Sequence, residues 1–337
     1  MRIAIVGASG YAGLELVRLL GEHPEAEIVM VTGESSAGRR VATHAPSLVG
    51  VVGDLTFSPT TAVHDAEVDT VFLALPHGQS QSLVPALRQR GVSVVDLGAD
   101  FRLRDSQDYV TWYGESHHAP SLLTQAVYGL VERHRAELAG AALIAVPGCY
   151  PTATSLAMGP FIDANLIDRH SLVVNALSGV SGAGRSPSER LHFPRMVGNA
   201  EAYGMTSHRH TVEMQRELGA TVLFTPHLIP VSRGMLVTAY GRVTSDVTTD
   251  IALDHLRATY ANDPFVVVVD EPPALKDAVG SNLCFVSARV DARTGWLIGL
   301  SAIDNLVKGA AGQAIQAWNV ANGFDEVTGL PRTGVTP

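Results

Sequence analysis

The chain is short of cysteine, of net positive charge and of long apolar runs, and each shortage removes a class of function. Two cysteines in 337 residues, Cys149 and Cys284, make no disulfide framework of the kind that staples small secreted domains, so a reducing, cytoplasmic setting is expected. Lysine and arginine together number 24 against 33 acidic residues, a formal net charge of −9. A general nucleic-acid binder draws its affinity from a basic face, so no nucleic-acid partner is expected, and an anionic substrate would need a local basic pocket. No apolar run is long enough to span a bilayer, and with a strand-like run starting at Arg2 no signal peptide is expected. No repeat or low-complexity linker interrupts the chain.

What the chain does have is length and apolar content. A single hydrophobic core rarely serves 337 residues, and 46% hydrophobic composition supplies material for two. Strand-like runs at residues 2–6, 27–32, 70–75, 92–96 and 142–146 alternate with helical patterns at 14–20, 80–90 and 131–139. Such alternation predicts an α/β fold with a Rossmann-type, doubly wound parallel sheet. Beyond Cys149 longer strand-like runs follow at 171–176, 221–225, 235–244, 265–269, 283–290 and 296–303. With fewer helices between them, among them 249–260, they fit a second α+β domain built on a mixed or antiparallel sheet. The alanine- and glycine-rich helical stretch 305–322 is expected to return to the first domain. The expected division is residues 1–148 with 305–337 for nucleotide binding, and 149–304 for catalysis and oligomerisation.

The first chemical signal is Gly7-Ala8-Ser9-Gly10-Tyr11-Ala12-Gly13, set between a β-branched run and an amphipathic stretch. Glycines at this spacing let a strand turn tightly into a helix and let the backbone approach a pyrophosphate on the helix N-terminus. Glu34, at the end of the second strand-like run, is a candidate partner for a ribose 2′-hydroxyl. Ser35, Ser36, Arg39 and Arg40 follow it, and hydroxyls with guanidinium groups suit a 2′-phosphate better, which favours NADP over NAD. Leu75-Pro76-His77-Gly78 follows another strand-like run and is either a cofactor loop or an ordinary turn. Arg102 presents a planar donor fork suited to phosphate or carboxylate, or else a surface salt bridge.

Cys149 lies in Pro147-Gly148-Cys149-Tyr150-Pro151-Thr152, between a strand-like and a helix-like run. At a helix N-terminus the backbone N–H groups and the helix dipole favour the thiolate, which makes this cysteine a candidate nucleophile; a small buried hydrophobe is the alternative. Cys284 lies among Leu283, Phe285 and Val286 and reads as core. A second glycine-rich segment, Ser178-Gly179-Val180-Ser181-Gly182-Ala183-Gly184-Arg185, would let a substrate or nicotinamide ring approach the backbone, or is a surface loop. His208, His210 and Glu213 open a further helical run, with His210 and Glu213 on one face. That pairing suits an acid/base beside a thiol, and histidines on a solvated helix surface are the alternative. A zinc site is disfavoured by the departure from H-E-x-x-H spacing, and no metal is expected.

Together the Gly7–Gly13 segment, the Pro147–Thr152 segment and His208-Arg209-His210 resemble the N-acetyl-γ-glutamyl-phosphate reductase family, over nearly the whole chain. More broadly they are similar to aspartate-semialdehyde dehydrogenases, in which a catalytic histidine follows a Pro-Val segment and a glycine. The comparable stretch here is Pro230-Val231-Ser232-Arg233-Gly234-Met235, which has no histidine. That departure favours the acetylglutamyl branch and moves the acid/base role to the His208/His210 pair, without choosing between the two. The resemblance implies Cys149 as nucleophile, and Arg102, with Arg185 or Arg233 as possible helpers, as holder of substrate anions; within the glycine-rich segment Ser178 and Gly179 are the candidates for lining the substrate. It also implies Asn305 near the nicotinamide carboxamide, for which a helix N-cap is the alternative, and Ser181 and Gly182 of the glycine-rich segment are further candidates for the cofactor. The implied reaction is NADPH-dependent reduction of an acyl phosphate through a cysteine thioester, by a homo-oligomer, dimer or tetramer. Aspartyl phosphate and carrier-protein-linked acyl phosphates are the competing substrates, and a non-catalytic NADP sensor and a metal-dependent hydrolase are the competing classes.

Overall fold

Alternate residues of the first strand bury opposite faces: Ala4 and Val6 on one side, Ile3 and Ile5 on the other, all fully covered. A strand apolar on both faces belongs inside a parallel sheet with helices above and below. The computed structural model describes residues 1–335 and divides into two compact units. The first comprises residues 1–147 and 310–330, and the second residues 148–309 with the segment from Pro331. The chain thus returns to the first unit at Ala310, a few residues later than the expected 305, and leaves it again at Pro331.

The first unit is a seven-stranded, wholly parallel sheet. Its strands are β1 (Arg2–Val6), β2 (Glu27–Thr32), β3 (Phe57–Ser58), β4 (Thr70–Leu73), β5 (Ser93–Asp96), β6 (Val127–Tyr128) and β7 (Leu143–Ala145). Their order, β3-β2-β1-β4-β5-β7-β6, reverses direction between β1 and β4, the switch point at which open α/β sheets bind ligands. On one face Leu83, Val84 and Leu87 of the helix Ser80–Gln89 pack against Val6, Val71 and Leu73. On the other, Trp318 of the helix Gly312–Ala321 meets Phe72 edge-on at 5.9 Å between ring centroids. Its indole N–H donates to Thr70 Oγ1 at 3.2 Å.

The second unit is a mixed sheet, ordered β12-β13-β14-β11-β8-β10-β9. It comprises β8 (Leu172–Gly179), β9 (Glu201–Ala202), β10 (Val222–Ile229), β11 (Met235–Arg242), β12 (Val266–Val268), β13 (Cys284–Asp291) and β14 (Trp296–Ile303). β10 runs parallel to β8 and β12 to β13; the other pairs are antiparallel. One face is covered by the helix Cys149–Asp163, in which every residue but the two terminal ones is buried. A helix apolar all round must lie inside a core. Ser301 donates to the Ala153 carbonyl at 2.8 Å, tying β14 to this helix. Pro151 is tolerated in its first turn, where a backbone N–H has no helical acceptor. The opposite face carries Leu177, Leu236, Tyr240, Ile298 and Leu300, only partly covered, and Leu223, which is exposed.

The expected strands and helices are present within a few residues at their ends. The short strands β3, β6 and β9 and the helix Ser106–Tyr113 carry too little periodicity to be read from the sequence. Among the described residues no helix is long and apolar enough to cross a membrane. Because Trp318 is almost fully buried, replacing it with alanine is expected to cost about 3–5 kcal/mol. Urea unfolding followed by circular dichroism measures this.

Candidate active site

In the first unit the glycine turn leads from β1 into the helix Tyr11–Leu20. Gly7 has φ +82°, and a Cβ there would collide with the Ala74 carbonyl, so only glycine fits between β1 and the chain leaving β4. A Cβ on Gly13 would come within 2.6 Å of Ala8 Cα, so this glycine lets the helix close onto the turn. At Gly10 the nearest protein atom to such a Cβ is 3.6 Å away, and its backbone is open to approach. Gly10 is the helix N-cap, with no side-chain cap and no acid in the first turn. Ser9, Gly10, Tyr11 and Ala12 therefore surround a helix start whose backbone donors suit a pyrophosphate.

After β2, Glu34 and Ser36 belong to one helical turn, Glu34–Ser36. The Glu34 carboxylate accepts the Thr60 N–H at 3.1 Å through one of its two oxygens. Ser36 is buried, whereas Ser35, Arg39 and Arg40 are exposed. Arg40 pairs with Asp54, and both side chains are largely exposed.

The loop after β4, with half-buried Leu75 and exposed Pro76, is held by two buried acids that the sequence reading did not single out. Asp100 accepts from Gly78 N at 2.7 Å and from Gln81 N at 3.3 Å. Asp96 accepts from Ser80 Oγ at 2.7 Å and Gly98 N at 2.9 Å, and burial pushes its carboxyl up to about 7. His77 stands between acids, with Nδ1 3.3 Å from Asp100 and Nε2 3.3 Å from Glu115. Its side chain thus braces the loop. Arg102 is half-buried and donates through Nη2 to the Leu97 carbonyl at 2.8 Å.

In the second unit Cys149 is the first residue of the helix Cys149–Asp163, half-buried, with Gly148 as N-cap. The helix start has no side-chain cap and no acid in its first turn. The imidazole of His210 lies directly on Gly148: a Cβ there would overlap the ring, coming within 2.6 Å of Cε1. Glu213, on the same face of the helix His210–Leu218, is 2% exposed and accepts the Gly148 N–H at 2.8 Å. The nucleophile candidate, an imidazole and a carboxylate thus meet at one peptide.

His208 sits differently. Its Nδ1 accepts the His210 backbone N–H at 3.1 Å, so the proton of the neutral ring lies on Nε2. Its ring is boxed by Tyr150, Tyr203 and Phe224 at 5.5, 5.6 and 5.4 Å between centroids. Burial, helped by the neighbouring Arg209 charge, lowers its pKa to about 4. The Tyr150 and Tyr203 hydroxyls hydrogen-bond at 2.8 Å, burial pushes Tyr203 up to about 12, and the Arg190 guanidinium lies 4.5 Å over the Tyr203 ring. Nothing in the local sequence around Tyr203 announced its place beside the histidine pair.

The second glycine segment is tied to the loop between β10 and β11. Gly179, Val180 and Ser181 donate to the carbonyls of Gly234, Val231 and Ser232. A Cβ on Gly179 would meet the backbone of Val231 and Arg233 at 2.9–3.0 Å, so this glycine is needed for packing. Ser178 is buried and its hydroxyl donates to the Gly179 carbonyl at 3.1 Å, while Gly182 and Arg185 are exposed. Arg233 faces Asp304, at 3.7 Å. The Asn305 amide accepts from Gly234 N at 2.7 Å and donates to Ser181 Oγ at 2.9 Å. Asp304, not Asn305, caps the following turn, accepting from the Leu306 and Val307 amides at 2.8 and 3.2 Å. Cys284 is wholly buried on β13, as core.

Two family patterns match the chain: the semialdehyde dehydrogenase NAD binding domain over residues 2–141 and the semialdehyde dehydrogenase dimerisation domain over 149–305. The N-acetyl-gamma-glutamyl-phosphate reductase of Magnetococcus marinus is 45% identical, the match covering 100% of this chain and 99% of that protein. That of Symbiobacterium thermophilum is also 45% identical, over 99% and 98% of the two chains. The crystal structure of aspartate semialdehyde dehydrogenase II from Vibrio cholerae shares the fold, with TM-score 0.73 and 18% identity over 95% of this chain and 97% of that one. With a nucleotide turn, a cysteine at a helix start and an imidazole beside it, the chain belongs to the N-acetyl-gamma-glutamyl-phosphate reductases, within the semialdehyde dehydrogenases, and is an oxidoreductase with a nicotinamide cofactor.

Proposed function

We propose that the protein reduces N-acetyl-gamma-glutamyl phosphate to N-acetylglutamate semialdehyde and phosphate with NADPH, through a thioester on Cys149, as a step of arginine biosynthesis. The observation that carries this reading is the Gly148 peptide, where His210 and Glu213 converge on the residue preceding the thiol. His210 accepts the thiol proton as sulfur attacks the acyl carbon. The S–C bond forms, the C–O bond to phosphate breaks, and phosphate leaves. NADPH, when bound, supplies the hydride that reduces the thioester carbon. On collapse the C–S bond breaks, releasing the aldehyde and restoring the thiolate. The uncapped helix start directs backbone N–H dipoles at the developing oxyanion.

The choice of His210 over His208 rests on environment. A ring held near pKa 4, with Nδ1 occupied by a backbone N–H, stays uncharged at neutral pH with its one proton on Nε2, and serves as an aromatic wall. Glu213 is a positioning residue, aligning Gly148 and the imidazole. Arg102 holds the anionic end of the substrate, whereas Arg233 is directed to Asp304. Among the cofactor residues, Ser35 and Arg39 are the better partners for the 2′-phosphate, because Arg40 already faces Asp54. The partly covered face of the second sheet is the surface through which we expect copies of the chain to associate. A chemistry that needs a thiolate also suits a reducing cytoplasm.

Three measurements test these assignments. Phosphate-dependent NADP reduction, run in the reverse direction with a panel of semialdehydes, is expected to be fastest with N-acetylglutamate semialdehyde and to be abolished by Cys149→Ser with NADPH binding intact. Turnover without the thiol would overturn the mechanism. In the same assay His210→Gln should lower kcat by about 10²–10⁴-fold. His208→Phe should be milder and should reduce the acid sensitivity of the fold. A histidine whose folded pKa lies below its unfolded 6.5 stabilises fully above pH 6.5, and that contribution is lost as pH falls towards 4. Thermal melting across this range reads the difference. Finally, Arg39→Ala should raise the KM for NADPH by about tenfold and leave that for NADH unchanged; equal effects on both would remove Arg39 from the 2′-phosphate site.

A further inference from the structure

We infer that Gly309 is a positioning residue for the Cys149 side chain, a bare stretch of backbone against which the thiol-bearing carbon rests; the inference builds on Cys149 as nucleophile. A Cβ placed on Gly309 would stand 2.7 Å from Cys149 Cβ and 3.3 Å from Cys149 Cα, with Ile303 Cδ1 also at 3.3 Å. Gly309 is not among the glycines with positive φ, so its backbone conformation admits any residue. What excludes a side chain is the cysteine itself.

Neither partner in that contact can retreat easily. Gly309 belongs to a π-helical turn, Val307–Ala311, and its N–H donates to the carbonyl of Asp304, five residues back, at 2.9 Å. Such one-turn expansions recur at functional sites, because the extra residue pushes backbone towards a neighbour. Asp304 is fully buried, and its carboxylate accepts from the amides of Leu306, Val307 and Gly280 and faces Arg233. On the other side the Cys149 helix is fixed at Gly148 by Glu213 and buried through Ile162. Cβ of the first helical residue moves only with the backbone that bears it. A methyl group on Gly309 therefore displaces the sulfur away from the geometry set by Gly148 and the helix start.

The test uses the whole enzyme with Gly309→Ala. Alkylation of Cys149 by iodoacetamide is followed across pH by mass spectrometry, with Cys149→Ser giving the background from buried Cys284. A displaced thiol loses part of its stabilisation as thiolate, so the alkylation midpoint should move to higher pH and the rate at neutral pH should fall. A misplacement of this size should lower kcat about a hundredfold while KM for NADP is unchanged. Should the methyl group unfold the protein, Gly309→Ala with Ile303→Val opens space on the Ile303 side and is read in the same way. A folded variant with the wild-type alkylation profile overturns the inference. So does recovery of kcat by Ile303→Val, which would assign the defect to crowding at Ile303. A wild-type protein inactive on the acyl phosphate, with the alkylation shift still present, would sink the substrate assignment and leave the role of Gly309 standing.

Discussion

The peptide N–H of Gly148 joins the elements of the proposed active site. The amide of Gly148 donates into the buried Glu213 carboxylate, and the His210 ring rests on the same glycine. A carboxylate taken out of water is tolerated only when hydrogen bonds replace its hydration, so Glu213 stays where that amide is offered. The start of the Cys149 helix is thereby fixed relative to the helix His210–Leu218, although some sixty residues of chain lie between them. A larger residue in place of Gly148 would force the imidazole away and break this register.

The two histidines illustrate how environment divides labour between identical side chains. His208 is enclosed by Tyr150, Tyr203 and Phe224, and burial keeps it neutral. Its Nδ1 in turn accepts the N–H of His210, so the residue that does not titrate near neutrality helps to seat the one assigned the proton transfer. In the first unit buried carboxylates do a comparable job. Asp96 and Asp100 accept backbone and hydroxyl protons from the loop after β4, and His77 stands between Asp100 and Glu115. Such groups order loops because leaving any member unpaired in a dry interior costs more than the loop gains from moving.

Much of the fold was legible in the sequence. The alternation of apolar runs announced the parallel sheet, and the longer runs beyond Cys149 announced the mixed one. The short strands β3, β6 and β9 escaped because two residues carry no periodicity. The stretch 305–322 read as one helix, whereas it opens with the π-helical turn Val307–Ala311 and becomes regular only at Gly312. Alanine and glycine there satisfy a helical pattern equally well with either hydrogen-bond spacing, and the anchoring of Asp304 selects the wider one. Asn305 matched a capping signature, yet the cap is its neighbour Asp304, while the amide bridges Gly234 and Ser181.

Local sequence determined the residue types and their neighbours along the chain: a glycine turn between strand and helix, a cysteine behind a glycine, a histidine three places before a glutamate. These are short-range facts, governed by backbone sterics and helix periodicity, and they are written into any ten-residue window. Tertiary structure alone decided which histidine faces Gly148, which arginines are already directed to acids, and that Gly309 abuts Cys149. Those outcomes depend on burial and on contacts between segments distant in sequence, where the cost of desolvating a charge or overlapping two carbons is set by the packed neighbours rather than by the chain's own spacing.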